Sequence, residues 1–395
     1  MLNVRNEFPF LERVVNGTTL AYLDNAATTQ KPRQVIDRIS SLYSSGVANV
    51  HRAVSFLADE TTEAFETARE GIARFIGAQP REIVFVLNAT QAINLVCASL
   101  SRSGPLKVLA STQEHHSNLL PWCESGKVKW VPWSEDGALD LGALERELAW
   151  KPDLMVVTSA SNFLGAIQPV TDIVERCHRA GVRVLVDASQ SIAHQSYDVR
   201  NIGCDYLVFS GHKIYGPSGI GVLYAREEFL EKMPPVWLGG NMVKEVHAEN
   251  WAPNDLPYRF EAGTPNIEGV IGLGAAIEFL KSLEWDRVAA HECALVQYAK
   301  RELAAFRPVR LFGPPPGSPC APLVSFQLKG LESGAVAKAL SNRRNVIVRS
   351  GFLCAQPAHD RFSAGPSVRA SFAVYNCREE VDRLLEVVCS LLRIL

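Results

Sequence analysis

Through the middle of the chain, apolar residues fall into short unbroken runs. EIVFVL (Glu82–Leu87), LKVLAS (Leu106–Ser111), DLMVVTS (Asp153–Ser159) and VRVLVDAS (Val182–Ser189) are the clearest. Between them lie segments of helical period, near Thr90–Leu100, from about Ser117, and near Val170–Ala180. Runs of Val, Ile and Leu that alternate with helices predict a parallel sheet covered on both faces. DYLVFS (Asp205–Ser210) and GIGVLYA (Gly219–Ala225) follow with only a short Gly/Pro connection, which predicts an antiparallel neighbour and so a mixed sheet. Beyond Pro234 the pattern breaks. Residues 234–266 are rich in Pro, Gly, Asn and Trp, have no period, and read as a long loop with a functional or interface role. Helices are expected at about Ile267–Leu283 and Trp285–Phe306, then a rigid turn at GPPPGSP (Gly313–Pro319). A strand at Leu323–Leu328 precedes a helix capped by Ser333 that runs to about Asn342. Strands at Val346–Arg349 and Val368–Val374 and a helix at Arg378–Leu395 complete the pattern. The expected fold class is α/β, with a mixed, mainly parallel sheet covered by helices in a large domain, 21–282. A smaller α+β domain, 283–395, follows, with the segment 1–20 packing on it.

Composition narrows the function classes without choosing one. The chain has 395 residues, enough for roughly two or three domains and a large core. Basic and acidic residues nearly balance, 40 against 42, for a net charge of −2. That excludes a broad basic surface for nucleic acid and a polybasic membrane anchor. No apolar run approaches the roughly 18 residues a membrane span needs. Arg5, Glu7, Glu12 and Arg13 interrupt the first residues, so no signal-peptide apolar region is expected. The nine cysteines include no Cys-x-x-Cys pair, which fits reduced thiols in a cytoplasmic protein better than a disulfide framework or a zinc ribbon. Cys97, Cys177, Cys293 and Cys389 read as small buried hydrophobes on apolar helices.

Chemistry enters at the strand ends, where ligands of open α/β sheets bind. Asp187 and Gln190 follow one apolar run, and Ser210, His212 and Lys213 follow the next. His115 and His116 follow a third, and Asn88 and Thr90 a fourth. Taken singly, each has an ordinary role: an Asp caps a helix, a Lys solvates a Gly/Pro turn, a His fills a core. Together they are complementary. A lysine walled by apolar sequence has a depressed pKa, and a neutral amine is what Schiff-base chemistry needs. A carboxylate on the neighbouring strand can keep a pyridinium nitrogen protonated. Thr90 at a helix start, with Ser210 and His212, offers donors for a phosphate. These parts describe a site for pyridoxal 5′-phosphate (PLP). Gly216-x-x-Gly219-x-Gly221 leads into a strand and is not a dinucleotide fingerprint, and there is no P-loop. Adjacent histidines are poorly spaced for ligation, so no metal is expected.

The sequence also resembles a known family. LDNAATTQKP (Leu23–Pro32), EHHSNLLPW (Glu114–Trp122), SNFLGA (Ser161–Ala166), VLVDASQS, FSGHKIYGPSGIGVLY, RFEAGTPN (Arg259–Asn266), SGFLCAQP (Ser350–Pro357) and VRASFAVYN (Val368–Asn376) are similar, in order, to the group II cysteine desulfurases. These Suf-type and Csd-type enzymes are fold-type I PLP proteins of the class V aminotransferase group. The resemblance implies that Lys213 joins the cofactor covalently and moves the Cα proton, with Asp187 at the pyridinium nitrogen and Gln190 at the ring hydroxyl. It implies His115 stacked on the ring, and Thr90, Ser210 and His212 at the phosphate, with Thr264 reaching across from a second subunit. Asn162, Arg369 and Arg349 would engage the substrate, L-cysteine, and Cys354 would take its sulfur as a persulfide. A homodimer and a protein sulfur acceptor of the SufE or SufU type, feeding pathways such as iron–sulfur cluster assembly, are implied by the same likeness.

The chain departs from the family pattern in three places. Phe352 and Leu353 precede Cys354 where one or two histidines are usual, leaving no charge beside the thiol. NATQAIN replaces the usual Gly-Thr-Thr-Glu-Gly, so one phosphate-side hydroxyl is lost at Ala89 and Gln91 cannot make a charged pair. Ser55 stands where a histidine is common. Two alternatives therefore stay open: a PLP-dependent lyase acting on selenocysteine, cysteine sulfinate or a specialised substrate, and a catalytically silent sulfur-relay or scaffold protein.

Overall fold

A computed structural model describes residues 4–52 and 54–393 of the chain. The large sheet has seven strands: β1 (Ile83–Val86), β2 (Leu106–Ala110), β3 (Gly126–Trp130), β4 (Leu154–Thr158), β5 (Arg183–Asp187), β6 (Tyr206–Ser210) and β7 (Gly221–Ala225). Their order is β1-β7-β6-β5-β4-β2-β3, and only β7 runs antiparallel to its neighbours. The mixed, mainly parallel sheet read from the apolar runs is therefore present. The unbroken runs have a simple cause. Alternate residues of one strand feed opposite cores, Val184 and Val186 into one and Leu185 into the other, so both faces must be apolar.

A second sheet, β8 (Val309–Phe312), β9 (Leu323–Leu328), β10 (Arg349–Gly351) and β11 (Ser367–Ser371), is antiparallel throughout, in the order β8-β9-β11-β10. Helices Trp285–Ala304, Ser333–Arg344 and Arg378–Leu392 accompany it, over a core that includes Val296, Phe326, Leu340 and Val388. The N-terminal segment is tied to this part. Ala21–Tyr22 pairs in parallel with Val346–Ile347, Asn345 Nδ2 donates to Val15 O at 2.6 Å, and Arg5 pairs with Glu380 at 2.9 Å. Phe8 packs instead among the rings of Tyr215, Phe279 and Tyr375. Residues 1–3 of that segment and residues 394–395 of the expected last helix lie outside the described residues.

Several local readings need correction. The stretch 234–266 is not all loop: Val243–Val246 and Trp251–Pro253 form a hairpin. Its strands are largely exposed, so no apolar pattern marks them. Glu332, not Ser333, stands at the helix N-cap. The helix after His115 is short, a 3-10 turn at His116–Asn118 followed by Leu120–Ser125. Cys293 is exposed and Cys389 half-buried, because the helix Trp285–Ala304 buries a different stripe, Val288, Leu295, Val296, Ala299 and Leu303.

Candidate active site

The parallel strands deliver their carboxyl ends to one edge of the large sheet, where a cavity of about 430 Å³ opens. Its wall combines Asn88, Ala89 and Thr90, His115 and His116, Asn162, Asp187, Ser189 and Gln190, and Ser210, His212 and Lys213 with Arg349, Phe352, Leu353, Cys354 and Arg369. Every site residue expected from the sequence lies there except Thr264. Thr264 is exposed and lines a separate cleft with Asn49, Val50, Arg52 and Asn241 of its own chain.

Lys213 ends the short turn Gly211–Lys213 that follows β6. The peptide oxygen just before it, on His212, accepts from Thr28 Oγ1 at 3.0 Å, Thr29 N at 3.0 Å, Thr29 Oγ1 at 3.2 Å and Lys31 Nζ at 3.2 Å. Burial pushes the Lys213 amine below the ordinary lysine range; the Asp187 carboxylate opposes that shift and Arg369 adds to it. His212 is held down at about 4 by burial and by the ammonium groups of Lys213 and Lys31. His115 is also held at about 4, by burial first and then by Lys213. Its Nδ1 accepts from Ser117 N at 3.1 Å, so the neutral ring carries its proton on Nε2.

At the end of β1, helix Ala89–Leu100 begins at Asn88, whose Oδ1 accepts from Gln91 N at 2.9 Å. Ser210 Oγ accepts from Ala89 N at 2.9 Å, which frees its hydroxyl proton for the cavity. Thr90 Oγ1 lies 2.8 Å from Ser117 Oγ. This closeness depends on Gly221, in register between Val86 and Ser210. A Cβ there would sit 2.7 Å from Asn88 Cα and 2.9 Å from Phe209 O.

Asp187, 6% exposed, accepts from Ser189 N at 2.9 Å. Gln190 Nε2 donates to Ala26 O at 2.9 Å. Arg369 and Arg349 face each other across β11 and β10. Arg369 donates through one terminal nitrogen to Asn162 O at 2.8 Å and through the other to Asp24 Oδ1 at 3.3 Å, while its buried Nε has no partner among the described residues. Ser189 Oγ is likewise buried and unpartnered. Buried donors without acceptors are costly, and both residues line the cavity. The wall is therefore incomplete without a ligand that brings acceptor oxygens.

Cys354 is exposed at the cavity mouth, in a turn closed by Ala355 N donating to Phe352 O at 2.8 Å. Leu353 and Cys354 both have left-handed backbone, φ 55° and 54°, a conformation that costs a non-glycine residue about 1–2 kcal/mol. Asn162, expected at the substrate, commits its Nδ2 to Leu353 O at 2.6 Å.

Sequence reading missed three of the supports, and of His116 it gave the place but not the contact. Asp24 backs Arg369, Ser117 backs His115 and Thr90, and His116 touches the Cys354 turn. Glu114, fully buried, accepts from Ser111 Oγ at 3.1 Å and Asn118 Nδ2 at 2.8 Å beneath the histidine pair. Burial pushes its carboxyl up to about 8, so it is protonated at neutral pH. Glu114, Ser117 and His116 lie inside a motif already singled out, and their polarity beside an apolar strand end was the available signal.

Residues 21–384 match the model of the family described as aminotransferase class-V. The chain belongs to the class-V aminotransferase family. It is 42% identical over 401 residues to a probable cysteine desulfurase of Synechocystis sp., covering 99% of this chain and 95% of that protein. It is 40% identical over 392 residues to a cysteine desulfurase of Dickeya dadantii, covering 97% and 94%. Among solved structures, the apo cysteine desulfurase of Thermococcus onnurineus superposes with a TM-score of 0.94 at 36% identity, covering 99% of this chain and 98% of that one. The Escherichia coli cysteine desulfurase CsdA, in an S-sulfonic acid form, gives 0.90 at 32% identity with the same coverage. The α/β fold and the family expected from the motifs both stand.

Proposed function

We propose that this family member is a PLP-dependent cysteine desulfurase that takes L-cysteine to L-alanine and carries the sulfur away as a persulfide on Cys354. One observation carries the reading. A single cavity sets a half-buried amine of lowered pKa, Lys213, and an exposed thiol, Cys354, around the guanidinium groups of Arg369 and Arg349. The donor set suits PLP. Ser210, Thr90, His212 and the start of helix Ala89–Leu100 would hold its phosphate, Asp187 its ring nitrogen, Gln190 its ring hydroxyl, and His115 would cover its ring. When bound, PLP supplies an electron sink for charge developing at the substrate Cα. Lys213, whose amine burial makes easier to deprotonate, can attach the cofactor and afterwards take the Cα proton. Arg369 offers its unpartnered Nε to the substrate carboxylate, with Arg349 beside it. Cys354 receives the sulfur: its thiolate forms an S–S bond as the substrate's Cβ–S bond breaks, and the electron pair of that bond stays with carbon.

Borohydride reduction of the PLP-loaded protein followed by peptide mapping should find the cofactor on Lys213. Mass spectrometry after incubation with L-cysteine should find added sulfur on Cys354. An unmodified Lys213 peptide would refute the cofactor assignment, and a Cys354 that gains no sulfur would refute the reaction. Phe352 on the cavity wall in place of a polar residue favours a second comparison, rates on L-cysteine against selenocysteine and cysteine sulfinate. Faster turnover of either alternative would change the substrate and leave the site intact.

The same reading covers the division into a PLP-binding domain, 21–282, and a small domain, 283–395, and a cytoplasmic location. No helix among the described residues is long and apolar enough to cross a membrane. It also covers a homodimer in which Thr264, exposed in its own chain, serves the partner's phosphate site, and delivery of sulfur to a SufE- or SufU-like acceptor. Sedimentation of the holoenzyme tests the dimer. A monomer that binds PLP fully would remove Thr264 from the site.

A further inference from the structure

The Cys354 turn lacks the residues that normally make such a turn. Positive φ at both central positions together with the Phe352–Ala355 hydrogen bond is the signature of a type I′ turn, which favours Asn, Asp and Gly. Here the central pair is Leu353 and Cys354, and neither prefers left-handed backbone. The conformation must therefore be imposed from outside, and the contacts that impose it are visible.

Leu353 buries its side chain in an apolar cluster with Phe163, Phe312 and Ala358. Its carbonyl is held by Asn162, so the first half of the turn is fixed from the substrate side. In the second half, Ala355 is buried and its carbonyl accepts from His359 N at 3.2 Å in the following helix, while the flanking Cys354 O and Gln356 N are both met by His116. The His116 backbone N–H donates to Cys354 O at 2.9 Å, and its ring Nε2 lies 3.1 Å from Gln356 N. A backbone N–H can only donate, so Nε2 is the acceptor and carries no proton. His116 thus grips the chain on both sides of Ala355. It does so from the residue next to His115, on the wall opposite the small sheet.

We infer that His116 is a positioning residue for Cys354, holding the thiol at the cavity mouth by clamping a turn its own residues do not favour. The inference rests on the desulfurase reading for its catalytic consequence, but its geometric content stands apart from it. Without the ring acceptor, Gln356 N–H loses its partner and the turn relaxes toward ordinary negative φ, which moves the sulfur.

The test compares the PLP-loaded wild type with His116→Leu and His116→Gln, the latter keeping an acceptor that can reach Gln356 N–H. His116 is half-buried, and the visible absorbance of bound PLP verifies that each variant is folded and loaded. Peptide-resolved iodoacetamide labelling gives the alkylation rate of Cys354 relative to exposed Cys293 in the same molecule. In His116→Leu that ratio should change about fivefold, and kcat for alanine formation should fall about tenfold with KM for L-cysteine within twofold. His116→Gln should recover most of both. A His116→Leu protein whose labelling ratio and kcat stay within twofold of wild type overturns the inference. So does a His116→Gln protein as impaired as His116→Leu. If the wild type forms no persulfide on Cys354, the desulfurase reading fails, while the labelling comparison still judges the clamp.

Discussion

Lys213 and Cys354 share one cavity, yet the chain supports them by different physics. Lys213 is half-buried at the end of a parallel strand, and the peptide oxygen before it accepts four donors from residues 28–31. No left-handed non-glycine residue occurs from Gly211 to Lys213. Cys354 is exposed, and both central residues of its turn are left-handed. On the proposed function the contrast follows from two tasks. An amine that must be neutral to react needs a dry, over-determined setting, because burial is what lowers its pKa. A sulfur carrier must meet both a substrate inside and an acceptor outside, so it cannot be buried. It is placed instead by a few directed hydrogen bonds on a turn.

The largest effect should come from breaking the lysine side. Lys213→Ala should lower alanine formation from L-cysteine by about 10³-fold or more, since proton transfer alone is worth about 10²–10⁴. It should leave the iodoacetamide reactivity of Cys354 close to wild type. Coupled loss of both would show that the two walls are not independent. Arg369 touches both walls, through Asp24 and through the Asn162 that holds Leu353. Arg369→Lys should raise KM for L-cysteine about 10–100-fold, the cost of a charge-assisted hydrogen bond worth about 1.5–3 kcal/mol. Steady-state kinetics with an unchanged KM would remove Arg369 from the carboxylate. Gly221→Ala forces a Cβ against Asn88 Cα at 2.7 Å. It should destabilise the fold by about 1–3 kcal/mol and weaken PLP binding, read by denaturant melts and by absorbance titration. Retained stability and affinity would show that the helix start tolerates displacement.

A separate effect, read only through pH, concerns Glu114. Burial raises its carboxyl from 4.5 to about 8, so the folded state keeps the proton that the unfolded chain releases. Its contribution to stability is complete below about pH 4.5 and is lost progressively as pH rises toward about 8. Glu114→Gln has no proton to release. Its thermal midpoint should therefore fall less than that of the wild type between pH 5 and pH 8. Equal pH slopes in the two proteins would show that Glu114 is ionised in the fold.

Much of this contrast was legible in the sequence, though unevenly. The lysine side was readable because an apolar strand that stops at Asp187 or Ser210 announces both the burial and the polar edge beyond it. Strand Gly126–Trp130 was not readable. It lies at the sheet edge with Lys127 and Trp130 exposed, so it carries no apolar run. Helices Arg33–Ser45 and Phe56–Ile76, on the face packed by Ile267–Lys281, were not picked out either, although Val35, Ile39 and Leu42 keep helical spacing in the first; Thr61 and Arg69 interrupt the buried stripe of the second. The Cys354 side was readable only as a motif. Its clamp joins His116 to Gln356 across 240 positions and Asn162 to Leu353 across 191, and local pattern carries no trace of contacts so remote. Nor does the residue order Phe-Leu-Cys-Ala suggest a type I′ turn; the tertiary contacts override local preference there.

The donors on the His212 oxygen also bear on when the site comes into being. They belong to residues 28–31, and Arg369 is tied to Asp24. Chains emerge from the ribosome amino end first. The grip on the lysine can therefore be set while translation continues, but the guanidinium and the sulfur carrier arrive only with residues 349–371. On the proposed function, a nascent chain could thus acquire its coenzyme before it can recognise an amino acid, and sulfur transfer would wait for residues 349–371.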